Sequence, residues 1–162
     1  MAWTTPRTWV TSEVVSATHM NTHVRDNLNI LKTPASAEHN TAVNYTTSNT
    51  SMTAVDATNL HHSLATAGGP VMVFVTMTLN VTGTDNTAVV KFDLAVDGVE
   101  EGLIRTHSRK AGNDLDRTAI TLMFMKATLT ADTHTFRLKW CIAGTATEAT
   151  IYDIQMLTRE MS

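Results

Sequence analysis

The sequence predicts a mainly β protein: an N-terminal arm and a single α-helix, followed by an antiparallel, jelly-roll-like β-sandwich of about eight strands. Three observations carry this expectation. Threonine supplies 30 of 162 residues and charged residues only 17%, against roughly 25% charge in ordinary soluble proteins; a stiff β-branched side chain with a hydroxyl suits the wet side of a pleated strand without needing charge. From about residue 70 onward, apolar and polar residues alternate over stretches of ten to twelve residues, the period of a half-buried strand. Turn-forming residues separate these stretches at the spacing of a sandwich or barrel.

Residues 1 to 15 read as an extended docking arm. Trp3 and Trp9 flank Pro6, and Val14 and Val15 follow, with no helical or strand period long enough to fold alone. Two readings of the tryptophans stay open. They fold back on their own sandwich, or they anchor the arm in a neighbouring chain, a role for which tryptophan is enriched. Residues 16 to 33 form the predicted helix, with Ser16 as N-cap and Val15 placed to staple against Met20. Ala17, Val24 and Leu31 recur every seven residues, and Met20 and Leu28 fill the same face, a narrow stripe suited to packing on other helices or on a sheet. Thr33-Pro34 stops the helix, because proline disfavours helical geometry in the residue before it. Residues 34 to 40 read as a linker, and residues 41 to 162 as the sandwich.

Within the sandwich, segments near 41–46 and 51–58 are weak strands fit for edges. Residues 70–81 place Val71, Val73, Val75, Met77, Leu79 and Val81 on one face, with Thr76, Thr78 and Asn80 on the other. Residues 88–97 alternate in the same way and run into Asp97-Gly98, a strong hairpin signal, so 99–107 should pair back. Residues 117–128 set Ile120, Leu122 and Phe124 against Thr121, Met123 and Met125. Apolar on both faces, that strand is expected to be central, with Met123 and Met125 as candidates for an oligomer interface. Cover by residues 35–66 of the same chain is the alternative. After a turn at 130–133, Phe136, Leu138 and Trp140 alternate with Arg137 and Lys139, Gly144 breaks the run, and 148–159 forms the last strand.

Several function classes find no support. A net charge of −3 with scattered Lys and Arg offers no basic field for a phosphate backbone, so no nucleic-acid partner is expected. The longest apolar run, Val71 to Val75, is far short of the roughly 20 residues of a membrane span, so no membrane partner is expected either. A single cysteine, Cys141, permits no internal disulfide and reads as a small buried apolar residue. His19 and His23 stand one helical turn apart but lack a third ligand, and His61-His62, adjacent in sequence, read as loop residues that cannot ligate jointly. The carboxylates Asp93, Asp97, Glu100, Glu101, Asp114 and Asp116 read mostly as turn chemistry. Neither metal nor cofactor is expected, and with no nucleophile elbow, P-loop or dinucleotide fingerprint the reading is non-enzymatic. The loop SRKAGNDLD at 108–116, with Arg109, Lys110, Asn113 and Asp114, is either a solvated hairpin tip or a receptor-contacting loop.

Two segments resemble a known family. Trp9-Val10-Thr11-Ser12-Glu13-Val14-Val15-Ser16-Ala17, followed by Asn21-Thr22-His23-Val24-Arg25-Asp26-Asn27-Leu28, is similar to an N-terminal module of tailed-bacteriophage virion proteins, with Ser12 where glycine is usual and Met20 where leucine is usual. Leu129 to Trp140, followed by Gly144-Thr145-Ala146, is similar to the penultimate hairpin of phage jelly-roll domains in decoration proteins and tail-fibre heads. The resemblance implies a homotrimer on the outer surface of the virion, made in the host cytoplasm, with the major capsid protein or tail proteins of a phage as partners. With no fibrous shaft repeat in the chain, capsid decoration is the expected role; a tail-associated or receptor-binding protein is the alternative.

Overall fold

The computed structural model describes residues 5, 7–25, 36–41, 43–85, 87–108 and 117–161, with backbone only for 36–41. After the arm and helix the described residues form eleven strands: β1 (Ser36–Thr41), β2 (Tyr45–Thr47), β3 (Thr53–Ala54), β4 (His61–Ala65), β5 (Val71–Gly83), β6 (Val89–Val96), β7 (Val99–Glu100), β8 (Arg105–Ser108), β9 (Thr118–Lys126), β10 (Thr133–Ala143) and β11 (Ala146–Glu160). They form two antiparallel sheets. Sheet A runs β1–β11–β5–β9 with β2 also on β11; sheet B runs β3–β10–β6–β7 with β4 also on β10 and β8 also on β6.

Interrupted strands share a track: β1 with β2, β3 with β4, and β7 with β8. Eleven segments therefore occupy eight tracks. Numbered along the chain, the tracks pair first with eighth, second with seventh, third with sixth and fourth with fifth. These nested pairings are a long hairpin rolled onto itself, the jelly roll.

Local chemistry explains the elements. The innermost hairpin turns at Asp97-Gly98, with φ of 51° and 85°, the left-handed pair a two-residue turn requires. The β10–β11 turn uses Gly144 at φ 63°, where an added Cβ would fall 2.0 Å from the carbonyl oxygen of Thr87. Between the sheets lie the inward rows: Val71 to Val81 of β5; Val90, Phe92, Leu94 and Val96 of β6; Phe136, Leu138, Trp140 and Ile142 of β10. Phe92 and Trp140 stack with centroids 6.4 Å apart. Burial of these rows, worth roughly 25 cal/mol per Å² of apolar surface, dominates the stability.

Strand β11 changes phase. Ala149 and Ile151 face inward, but so do Ile154, Met156 and Thr158. A bulge between Tyr152 and Gln155, with Asp153 at φ 49°, inserts the extra residue that shifts the alternation.

Four expectations are corrected. Residues 117–128 do form a strand, but β9 is an edge of sheet A, not central; the described residues leave its outer face, with Met123 and Met125, about half exposed. The linker expected at 34–40 supplies β1, whose backbone pairs with β11 from Ser36↔Arg159 to Thr41↔Ile154; polarity concealed an edge strand that a long neighbour recruits. His61 and His62 lie in β4 rather than a loop, and His62 is buried with Nδ1 2.8 Å from Thr158 Oγ1. The arm is not extended throughout: it reverses at Thr11-Ser12, where the Glu13 amide donates to the Val10 carbonyl (3.0 Å) and Ser12 has φ 70°.

Candidate subunit interface

The outer face of sheet A is built row by row from register. Met125, Met72 and Arg159 stand side by side across β9, β5 and β11; next come Met123, Phe74 and Leu157, then Thr121, Thr76 and Gln155. Directly opposed residues hold their Cβ atoms about 5 Å apart, so Met125, Met72, Met123, Phe74 and Leu157 make one apolar surface with the exposed Arg159 at its corner. Met123 is 50% exposed, Met125 54%, and Phe74 and Leu157 37% each. Leu157 faces outward only because of the bulge at Asp153. Beyond the third row the face is polar, and the Arg117 guanidinium lies 3.8 Å from the centre of the Tyr152 ring.

The sequence thus located Met123 and Met125 on a second apolar face, and the structure brings to them Phe74 and Leu157, which period-two reading alone did not single out. Of the alternative cover, residues 35–66, the strands β1 to β4 pair alongside β11 and β10 rather than lying over this face.

Sheet B treats its outer face differently. Asp93 is buried there, and its carboxylate accepts from the amides of Leu94 (2.8 Å), Gly102 (3.1 Å) and Leu103 (2.9 Å). This fixes the connection between β7 and β8, with Ala95 buried beside Asp93. Glu100 and Glu101 flank the connection, the first accepting from Lys139 Nζ (2.8 Å) and the second ion-paired to Lys126 of sheet A. Arg105 lies 5.8 Å from the Phe124 ring and closes the same side of the core. Asp97 sits in a turn as expected, and Asp93, expected on the 88–97 strand, lies in β6 and pins a loop. Cys141 is buried on β10, and burial pushes its thiol above the ordinary cysteine value.

The N-terminal elements make a small cluster of their own. Ser16 caps a helical turn over Ala17–Met20, accepting from the His19 amide (3.2 Å), and a π-type turn over Asn21–Arg25 continues it; none of these residues is buried. Arg7 pairs with Glu13, approaches His19 Nε2 at 2.6 Å and lies over Trp9, whose ring meets His19 edge-on at 6.0 Å. Trp9, Val10, Val14, Val15 and Met20 stay exposed, so the expected Val15–Met20 staple leaves both residues about half in solvent. His19 and His23 rings are 6.5 Å apart, and among the described residues no group of three or more His, Cys, Asp or Glu could hold a metal ion. Trp3, Pro6, Leu28, Leu31, Arg109, Lys110, Asn113 and Asp114 lie outside the described residues.

No family model matches the chain, and no curated protein does. Among solved structures it is similar to Eiger TNF from S. frugiperda, at 13% identity over 80% of this chain and 94% of that one, with TM-score 0.44. It is also similar to a chain of infectious bursal disease virus, Gt strain, at 13% identity, 78% of this chain, 32% of that one and TM-score 0.42. A third is dimeric latent PorU from Porphyromonas gingivalis, at 9% identity, 79% and 13% coverage and TM-score 0.39. At these levels no function follows from the likeness.

Proposed function

We propose that this chain is a bacteriophage virion structural protein, an external decoration protein that binds the capsid as a homotrimer and stabilises it. The observation that carries the reading is the open apolar face of sheet A, where Met123, Met125, Phe74 and Leu157 form a surface the described chain leaves in water. Clustered exposed apolar side chains mark an association surface, and identical copies meet most simply around a closed symmetry axis. Support for the phage setting comes from the Trp9–Leu28 module and from Ser12, which adopts the left-handed conformation that the glycine usual at that position in the module would favour. The exposed Trp9, Val10 and Val14 fit an arm that docks on a shell, and three arms on one trimer bind far more tightly than one.

The test has two arms. Sedimentation of purified protein should give three times 17.7 kDa; a monomer at micromolar concentration would sink the trimer. Incubation with phage heads should give stoichiometric binding that is lost when residues 1–15 are deleted. Binding to tails or host cells instead of heads would transfer the protein to the tail-associated or receptor-binding role.

A further inference from the structure

His134 is the second residue of β10 and is only 7% exposed. Its Nδ1 lies 2.7 Å from Asp97 Oδ2, and its Nε2 lies 3.1 Å from the Thr130 carbonyl oxygen and 3.3 Å from the Thr130 hydroxyl. Both nitrogens therefore face acceptors that cannot themselves donate, the carboxylate and the carbonyl. Only the imidazolium has an N–H for each. The neutral ring keeps one N–H, which the carboxylate holds as the stronger acceptor, and then turns a lone pair toward the carbonyl. The Thr130 hydroxyl is the group within reach that can turn and donate to that lone pair.

The surroundings make this exchange consequential. Asp97 also accepts from the Thr135 amide (2.8 Å), and the Asp97 amide donates to the Thr135 carbonyl (2.8 Å). The Thr130 carbonyl also accepts from Thr66 Oγ1 (2.8 Å), and the Thr66 amide donates to the Asp132 carbonyl (2.9 Å). One ring thus joins the β6–β7 turn to the β9–β10 connection and, through it, to the end of β4. The charged groups that act on it are Asp97 from the turn and Asp132 from the connection; β4 presents uncharged Leu64 opposite it, between Ser63 and Ala65. The Nε2–hydroxyl contact is no sign of a nucleophile, because the carbonyl is nearer and already takes that nitrogen.

We propose that His134 is a protonation-gated clamp: as an imidazolium it ties the Asp97-Gly98 turn to Thr130, and on losing a proton it exchanges the Thr130 carbonyl for the Thr130 hydroxyl and loosens the β9–β10 connection. The hydrogen bond to Asp97 holds the histidine above its ordinary value, against the opposing effect of burial. The clamp is therefore fully closed below the unfolded-chain value, about 6.5, and opens as pH rises through the higher folded-state value. The connection it governs leaves β9, the strand that carries Met123 and Met125.

NMR titration of the intact protein, following the His134 ring carbon and nitrogen shifts, tests this through two opposed variants. Asp97→Asn removes the charge that favours the cation and should lower the His134 midpoint; Thr130→Val removes the donor to the neutral ring and should raise it, each by about half a pH unit or more. Thr130 is exposed, so the valine variant keeps the test alive if the asparagine variant does not fold. Amide protection at Thr66 and Asp97 should drop as the wild-type ring titrates, and should not do so in His134→Gln. A midpoint at or below the ordinary value, a Thr130→Val shift of zero or downward, or protection that ignores the titration would overturn the clamp.

Discussion

The two outer faces of the sandwich solve the same problem in opposite ways. A sheet four tracks wide has a side that does not touch the partner sheet, and something must make that side compatible with water. Sheet B covers part of its own: the β7–β8 connection is pinned through a buried carboxylate, with ion pairs at its rim. Sheet A leaves methionine, phenylalanine and leucine side chains in solvent. One face is partly covered within the chain; the other is left open by the described residues. Where a protein invests buried polar chemistry in closing one face and none in the opposite one, the unfinished face is the place to look for assembly.

This contrast can be broken most severely on sheet A. Met123→Asp combined with Met125→Asp should convert the proposed trimer to a monomer in sedimentation velocity, a loss of at least a hundredfold in association. Ser63→Asp with Ala65→Asp, exposed on sheet B, should leave the mass unchanged; dissociation by the second pair would erase the distinction. Next in size is Asp93→Ala, which strands the Gly102 and Leu103 amides beneath the loop and should lower the unfolding free energy by about 2–3 kcal/mol, measured from the urea midpoint. An unchanged midpoint would mean that sheet B does not depend on its cover. Lys139→Ala, which removes the more exposed rim pair with Glu100, should cost about 1 kcal/mol or less on the same measurement. Smallest is Ser12→Gly, which relieves a left-handed serine in the arm and should strengthen the local turn by roughly 0.5–1 kcal/mol. It should slow exchange of the Glu13 amide without moving the global melting temperature.

Sequence reading recovered what depends on local period and turn chemistry. Strands β5, β6, β9, β10 and β11 lie within a few residues of their expected bounds, and Asp97-Gly98 and Gly144 turn as their types demand. It failed where a partner decides the outcome. Ser36 to Thr41 has no apolar rhythm and becomes a strand because β11 extends far enough to accept it. An edge strand left open and a central strand covered on both faces have the same pattern, so β9 could not be placed from Thr118–Lys126 alone. The site was half legible for the same reason. Met123 and Met125 announced a second apolar face, but Phe74 joins them through register, and Leu157 through a bulge that nothing before Asp153 signals. Asp93 looked like any charged residue in an alternating strand, because the loop it holds lies ten residues downstream.

The nested pairing also sets the order of events along a growing chain. The first track is closed by the last: Ser36 pairs with Arg159 and Thr41 with Ile154, so β1 has no strand to pair with until β11 has been made. Contacts of such sequence separation are slow to form, because the loop entropy must be overcome before they reward it. The innermost hairpin at Asp97-Gly98 can form early, and sheet A is the last to be completed. The arm is made before the strand that anchors its neighbour β1, and its exposed tryptophan and valines are presented on a fixed base only after the jelly roll has closed.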